Sequence, residues 1–150
     1  MVDLQDILKW LDTAGIKYTN SKRQRDLGIA LLEEEFDELV DGLNNQVRED
    51  ILDGMVDLIW IICNNLIFHN ITLEELEEYA KNVSESNWSK FCDTEEEAME
   101  TVAAYIDGKH PDKPHSKIKC GYKKINDKYV IFREDGKILK SINYKHVDSL

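Results

Sequence analysis

The sequence has little proline, cysteine and histidine, and these shortages exclude several classes of protein. Its 150 residues include two prolines, three cysteines and four histidines. The cysteines are odd in number, far apart and without a CxxC pair, which argues against a disulfide framework or a zinc site. This usage favours a reducing, cytoplasmic location. The longest apolar run, residues 58–63, is far shorter than the ~18 residues that span a bilayer. The first ten residues lack a basic stretch followed by an apolar one, so we expect neither a secretory signal nor a membrane partner.

Basic residues are scarce over most of the chain. Residues 1–116 carry ten Lys and Arg against 26 Asp and Glu, a balance of −16, whereas residues 117–150 carry nine against four, a balance of +5. This asymmetry predicts two parts with different electrostatic roles, an acidic domain over 1–116 and a basic extension over 117–150. An acidic body repels a nucleic-acid backbone, so we expect no nucleic-acid partner. It can still bind a nucleotide if metal ions lie between the two.

Apolar periodicity, capping residues and turn signals predict five helices followed by a β-hairpin. The predicted helices cover about residues 3–14, 22–43, 47–69, 73–90 and 94–106. The hairpin is predicted from a β-branched and aromatic run at 129–132, an Asp135-Gly136 turn and a return strand at 138–142. An isolated hairpin is marginal in water, so it should pack on the same domain or on a neighbouring subunit. The expected fold is mainly α, a four-to-five-helix bundle with a C-terminal β-hairpin.

Three glutamates of the second helix lie beside its apolar stripe. On a helical wheel, Glu35 and Glu38 border the stripe and Glu34 lies just beyond them. Carboxylates crowded at the edge of a core repel one another and lose hydration, so we expect something positive to offset them. The acids on the opposite side are interpreted as solvated and receive no role: Glu33, Asp37 and Asp41.

The third helix is apolar around most of its circumference, which is usual for a helix central to its fold. One narrow polar stripe contains Asp50, Asp53, Asp57 and Asn64. Aspartates on such a helix are either paired or bound to a cation, and Lys and Arg occur only at the ends of helices two and three. Carboxylates without His or Cys favour Mg²⁺ or Mn²⁺, and facing carboxylates on two antiparallel helices can form such a site. The alternative is that both stripes are ordinary polar faces of amphipathic helices.

Other polar residues allow two interpretations each. Asn87 and Lys90, one turn apart near the end of helix four, could contact a phosphate, but Lys90 is also favourably placed at the negative end of the helix dipole. From spacing alone, the dipole interpretation is the stronger one. Several tail lysines could either hold phosphate oxygens or dock on the acidic body or on a neighbouring subunit: Lys117, Lys119, Lys123, Lys124, Lys137 and Lys140.

The acidic motifs resemble those of the all-α nucleotide pyrophosphohydrolases, which include the MazG-like proteins and phosphoribosyl-ATP pyrophosphatase. Those proteins carry EExxE on one helix and ExxD on the next. Here Glu34, Glu35 and Glu38 match the first motif, and Asp57 matches the last residue of the second. The family usually has Glu three residues before Asp57, but this chain has Gly54. Asp53 is the expected substitute, as in phage-like members with a DGxxD segment.

Two further segments are similar to the phosphoribosyl-ATP pyrophosphatase-like branch. Residues 83–90, VSESNWSK, resemble its VxxSNxSK segment, and residues 135–144 resemble its tail. The resemblance covers about residues 25–144 and implies that Asn87 and Lys90 lie near the substrate.

The resemblance implies a Mg²⁺-dependent hydrolase, a homo-oligomer (dimer or tetramer), that cleaves a (deoxy)nucleoside triphosphate to a monophosphate and pyrophosphate. The metal, with Mn²⁺ as an alternative, would bridge phosphate oxygens and lower the pKa of the attacking water. Glu35 and Glu38 are the expected catalytic residues, and Glu35 would orient or deprotonate that water. The expected metal ligands are Glu34, Glu35, Glu38, Asp53 and Asp57. The alternatives are a phosphoribosyl-ATP pyrophosphatase-like activity on an unusual nucleotide and a non-enzymatic acidic helical interaction or regulatory protein.

Overall fold

The computed structural model describes residues 2–149, except for the side chain of Ser149. It is mainly α, with five helices, 59% helix and a C-terminal two-stranded antiparallel hairpin. This confirms the predicted fold class. In chain order the elements are α1 (Leu4–Thr13), α2 (Lys22–Asn45), α3 (Arg48–Phe68), α4 (Leu73–Trp88), α5 (Glu95–Asp107), β1 (Cys120–Ile125), β2 (Lys128–Arg133) and a short 3₁₀ helix (Val147–Ser149).

Side-chain caps and left-handed residues mark several of the helix ends. The hydroxyl of Ser21 accepts from the backbone N–H of Gln24 at the start of α2. The predicted capping box at Thr72 and Glu75 forms both of its hydrogen bonds, of 2.8 and 3.1 Å. α2 ends where Gln46 turns into the left-handed region, at a φ of 56°. Only two residues then separate α2 from α3, so the two helices run antiparallel.

Contacts divide the chain into two units, Met1–Leu76 (unit 1) and Glu77–Leu150 (unit 2). In unit 1, α3 packs against both α1 and α2. The α1 contact forms a small core in which Ile7, Leu11 and Cys63 are buried. The boundary predicted near residue 117 marks a change in charge, whereas the division of the chain by contacts falls after residue 76. The hairpin belongs to the same unit as α5 because the two pack against each other.

α3 is less enclosed than its composition led us to expect. By length and composition it could cross a membrane, but the core helices of soluble proteins pass the same test. Within the chain only 22% of its most apolar window is buried. Leu52, Met55 and Ile62 are each about half exposed, because α1 and α2 cover only part of the helix circumference. A large part of the apolar surface of unit 1 is therefore left uncovered by the chain itself.

A hairpin is present, but the strand predicted to pair with residues 129–132 is wrong. The run at 129–132 is a strand, β2, and it pairs with the preceding segment β1, in the register Cys120 opposite Arg133. The turn between the strands lies at Asn126-Asp127, and Asn126 has a φ of 55°. Residues 138–142 form no regular strand; they make an isolated bridge between Ile138 and Phe132. The sequence of β1, CGYKKI, has a glycine and two lysines, which weakened its strand signal.

Candidate active site

Three glycines in the α2–α3 interface determine how the two helices face each other. A Cβ atom at Gly54 would lie 3.0 Å from Cα of Leu39, and one at Gly42 would lie 3.1 Å from the backbone of Asp50. Farther along, the side-chain amide of Asn65 donates to the carbonyl of Gly28 at 3.2 Å. The three pairs define one antiparallel register. In that register, Glu35 lies about level with Asp57, and Glu38 lies about level with Gly54, next to Asp53.

The electrostatic environment of Glu35 involves all five predicted metal ligands. Glu35 is half-buried, whereas Glu34, Glu38 and Asp53 are exposed. Desolvation raises the pKa of Glu35, and the negative charges of Asp57, Glu38, Glu34 and Asp53 raise it further, in that order. The structure therefore brings the five residues, called here the acidic set, to one side of the α2–α3 interface: Glu34, Glu35, Glu38, Asp53 and Asp57.

A cleft of about 240 Å³ opens beside the acidic set, lined by Glu38 and Asp53. It also exposes three polar residues to which the sequence assigned no function: Asp41, Asn45 and Asp50. Asp41 was interpreted as solvated, and it is exposed, but it lines the same cleft as Glu38. Its position three residues after Glu38 was the signal that could have placed it there.

Gly54 explains why this chain departs from the ExxD pattern. A side chain at position 54 would point into the backbone of α2 at Leu39, so the interface has no space for a glutamate there. Asp53, one residue earlier, lines the cleft and acts electrostatically on Glu35. The substitute expected from the sequence thus lies where its charge adds to that of the acidic set.

The acidic set fits a hard cation by its donor chemistry. All five side chains are carboxylates, the ligand type that Mg²⁺ prefers. Within residues 2–149 none of the five forms an ion pair. Nowhere in the described part of the chain are three or more His, Cys, Asp or Glu side chains already arranged to hold a metal ion. Mutual repulsion keeps uncompensated carboxylates apart, so binding would have to draw these side chains together.

Asn87 and Lys90, the predicted substrate-binding residues, belong to unit 2, whereas the acidic set belongs to unit 1. The Lys90 ammonium donates to the side-chain oxygen of Asn87 at 2.7 Å. Asn87 is exposed and Lys90 is half-buried. The two residues therefore form a polar pair one turn apart at the end of α4.

The serines of the same segment anchor the tail of the chain, a role that the sequence did not indicate. The Ser86 hydroxyl lies 2.8 Å from the Tyr144 hydroxyl and donates to the Lys145 carbonyl. The Lys145 N–H in turn donates to the Ser89 hydroxyl at 2.9 Å. The two segments that resemble one protein branch, 83–90 and 135–144, are thus bonded to each other.

Comparison with known proteins gives one match. A family model described as phosphoribosyl-ATP pyrophosphohydrolase matches residues 3–87, which places the chain in the all-α NTP pyrophosphatase-like superfamily. Because more than half of the chain is matched, the protein belongs to the phosphoribosyl-ATP pyrophosphohydrolase family. No curated protein and no solved structure matches the chain. The match includes the acidic set and Asn87, and it ends before Lys90 and the hairpin.

Family membership indicates a nucleotide pyrophosphohydrolase, and therefore a hydrolase that acts on a phosphoric anhydride. Members of the family are typically dependent on a divalent cation. The resemblance read from the two acidic motifs is confirmed by this match.

Proposed function

We propose that the protein is a Mg²⁺-dependent pyrophosphohydrolase that cleaves a (deoxy)nucleoside triphosphate to a monophosphate and pyrophosphate at the acidic set. The observation that carries this proposal is the environment of Glu35. Glu35 is partly buried as a residue, and the negative charges of four other carboxylates from two helices raise the pKa of its carboxyl. None of these carboxylates is ion-paired within residues 2–149. Such an arrangement is costly unless a cation offsets it.

The alternative of two ordinary polar faces is less consistent with the geometry. Polar faces of amphipathic helices point to solvent, away from the interface between the helices. Here Glu38 and Asp53, from different helices, line one cleft, and Asp57 is the carboxylate with the largest effect on the pKa of Glu35. Glu33 and Asp37, on the opposite face of α2, are not among the carboxylates with the largest effects on that pKa. This contrast within a single helix supports a binding site.

The residues of the acidic set have two roles in this proposal. Glu34, Glu38, Asp53 and Asp57 would hold the cation, which would supply positive charge against the phosphates and the attacking water. Glu35 orients that water and accepts its proton. Its partly buried position and raised pKa suit it to this role. Asn87 and Lys90 contact the substrate, and the ammonium of Lys90 meets phosphate charge.

A substrate panel tests the proposal. Purified protein is incubated with each common NTP and dNTP and with phosphoribosyl-ATP, in Mg²⁺, in Mn²⁺ and in EDTA, and the products are separated by chromatography. The expected products are a monophosphate and pyrophosphate, formed only with a divalent cation. Release of single phosphates, or no product from any nucleotide, would contradict the proposal. Turnover of phosphoribosyl-ATP alone would assign the substrate named in the family description.

We also propose that unit 1 associates with a second copy of the chain. On α2, Ile29, Phe36 and Leu43 recur every seven residues and are each about half exposed. A stripe with this spacing on one helix face is typical of a helix that packs against another helix. On α3, Leu52, Met55 and Ile62 are exposed to a similar extent, and exposed apolar side chains that form a patch mark interaction sites.

Light scattering after size exclusion tests the association. The double variant Ile29→Ser, Leu43→Ser should shift the protein towards the monomer mass. The control is Ile106→Ser, Ile125→Ser, because these two isoleucines of unit 2 are similarly exposed. A monomeric wild-type protein at micromolar concentration, or an equal shift in the control, would contradict self-association through this surface.

A further inference from the structure

Unit 2 contains a strongly basic pocket of about 360 Å³. It lies between the end of α4, the loop after α5, the end of β2 and the segment that follows β2. Half of its ten lining residues are basic, and Asp112 is the one acidic residue among them. The basic residues are Lys90, Lys113, Arg133, Lys137 and Lys140.

The overall composition of unit 2 does not explain this concentration of positive charge. Residues 77–150 carry 13 Lys and Arg and 14 Asp and Glu, so the unit is nearly neutral. The fold nevertheless directs five cations and one carboxylate to a single cavity. Among residues 2–149 the ion pairs recorded include Lys140 with Asp112 and Arg133 with Asp135, but none that involves Lys113 or Lys137.

The Lys140–Asp112 pair forms a partly buried edge of the pocket. The ammonium of Lys140 lies 2.5 Å from Asp112 and 4.3 Å from the centre of the Tyr144 ring. Burial alone would raise the pKa of Asp112, but the hydrogen bond and charge of Lys140, followed by the charge of Lys113, lower it. Asp112 therefore stays ionised and fixes Lys140, while the pocket keeps an excess of positive charge.

Backbone hydrogen bonds hold the segment that supplies Lys137 and Lys140. The Arg133 N–H donates to the Lys137 carbonyl, and the Leu139 N–H donates to the Ile131 carbonyl, each at 2.9 Å. The Lys140 N–H donates to the Tyr105 hydroxyl at 3.2 Å. Because these bonds anchor both ends of the segment, its lysines project from a fixed backbone.

The other walls of the pocket are apolar and aromatic. They are formed by Tyr105, Ile118, Ile138 and Leu139, of which Tyr105 and Leu139 belong to the buried core of unit 2. A cavity of this volume is within the range of small-ligand sites, which combine apolar walls with a few charged groups. Clustered lysines and an arginine are the groups that recognise phosphate.

We propose that this pocket binds a small phosphate-bearing ligand, either inorganic pyrophosphate or a nucleotide with adjacent phosphoryl groups. The site goes beyond the proposed catalytic function. It shares Lys90 with the proposed substrate contacts, but its other nine lining residues have no part in that function, and all ten lie outside the matched segment 3–87. Pyrophosphate would use only the cationic side. A nucleotide would also place its base or ribose against the apolar walls.

Calorimetric titration of the full chain in EDTA tests the proposal independently of catalysis. The protein carries Glu38→Gln, so that binding at the acidic set and hydrolysis are both suppressed. Pyrophosphate and ADP are the two probes, and we expect at least one of them to bind. ADP binding tighter than pyrophosphate would identify a nucleotide site, and equal or weaker ADP binding would identify a pyrophosphate site.

Two double variants decide where the probe binds. Lys113→Gln, Lys137→Gln removes two cations that form no ion pair and should weaken binding by about tenfold or more, since each contributes a charge-assisted contact. Lys81→Gln, Lys109→Gln removes the same charge from exposed positions of unit 2 outside the pocket and should leave the affinity within about twofold. No binding of either probe at millimolar concentration, or an equal loss in both variants, would overturn the proposal.

Discussion

Unit 1 and unit 2 contain similar numbers of acidic residues, 16 and 14, but compensate them in different ways. Unit 2 has 13 basic residues and unit 1 has six. Within residues 2–149, unit 2 contains four ion pairs and unit 1 contains one, between Lys22 and Asp26. The acids of unit 2 are therefore largely balanced within the chain. Those of the acidic set in unit 1 have no basic partner within residues 2–149, and the proposed cation site is based on this difference.

The two units also differ in how completely they bury their apolar residues. The core of unit 2 closes around Tyr105 and Ile131, which are almost inaccessible to solvent. The core of unit 1 is small, and its longest helices leave half-exposed isoleucine, leucine and phenylalanine side chains. The acidic charges of unit 1 are uncompensated, whereas those of unit 2 are largely balanced. We therefore expect added cations and substitutions to affect the protein mainly through unit 1.

The largest expected effect comes from removing one carboxylate of the acidic set. Glu38→Gln keeps the size of the side chain and removes the charge, so turnover should fall by on the order of 10² to 10³. The helical circular dichroism signal should remain. Pyrophosphate release measures the effect, and Asp57→Asn should behave in the same way. Glu33→Gln, on the opposite face of α2, is the control, and equal losses in Glu33→Gln and Glu38→Gln would refute the site assignment.

Magnesium should stabilise the protein through unit 1. A cation that binds only the native state adds about 2.7 kcal/mol at a hundred times its Kd. We therefore expect the melting temperature to rise with Mg²⁺ in the wild type and to rise much less in Glu38→Gln. Lys128→Gln, which breaks an exposed ion pair with Asp93 in unit 2, should leave the Mg²⁺ response unchanged. A melting temperature independent of Mg²⁺ would instead favour the non-enzymatic interaction protein.

A methyl group at Gly54 should destabilise the interface that holds the acidic set. In Gly54→Ala the new Cβ would lie 3.0 Å from Cα of Leu39, and overpacking of this kind costs about 1–3 kcal/mol. Urea unfolding measures the loss. Gly121→Ala is the matched control in β1, because a Cβ there meets nothing within 4 Å. Equal destabilisation in the two variants would show that the close approach of α2 and α3 does not explain the effect.

The smallest expected effect is a pH dependence that originates in unit 2. His110 is buried and stacks on the Tyr105 ring. Burial lowers the pKa of His110, and the positive charge of Lys140 lowers it further, whereas the negative charge of Asp112 opposes the shift. A histidine whose folded pKa is lowered contributes stability that is complete above its unfolded pKa. That stability decreases as the pH falls below this value.

The loss at pH 5.5 can reach at most about 1.4 kcal/mol for an unfolded pKa near 6.5. Urea unfolding at pH 7.5 and 5.5 measures it. His110→Gln should reduce the difference between the two pH values, whereas His69→Gln, at an exposed position of unit 1, should not. A His110→Gln variant with the wild-type pH dependence would assign the effect to other groups.

Much of the secondary structure was predictable because its signals are local. Capping residues and the spacing of apolar residues predicted all five helices. The hairpin partner was not predictable in the same way, since strand pairing is a tertiary choice. The Asp135-Gly136 turn that the sequence predicts does form, with a φ of 86° at Gly136. However, β2 pairs with the Lys-rich segment β1, which precedes it in the chain.

The sequence by itself determined that this is a mainly α protein of the pyrophosphohydrolase superfamily, because EExxE and its following aspartates are local patterns on single helices. Only the tertiary structure shows why position 54 has no side chain, because a Cβ there would meet Leu39 on another helix. The basic pocket of unit 2 is likewise tertiary, since its five cations come from segments up to fifty residues apart. The number of charged residues can be counted from the sequence, whereas which of them lie close together depends on how the chain packs.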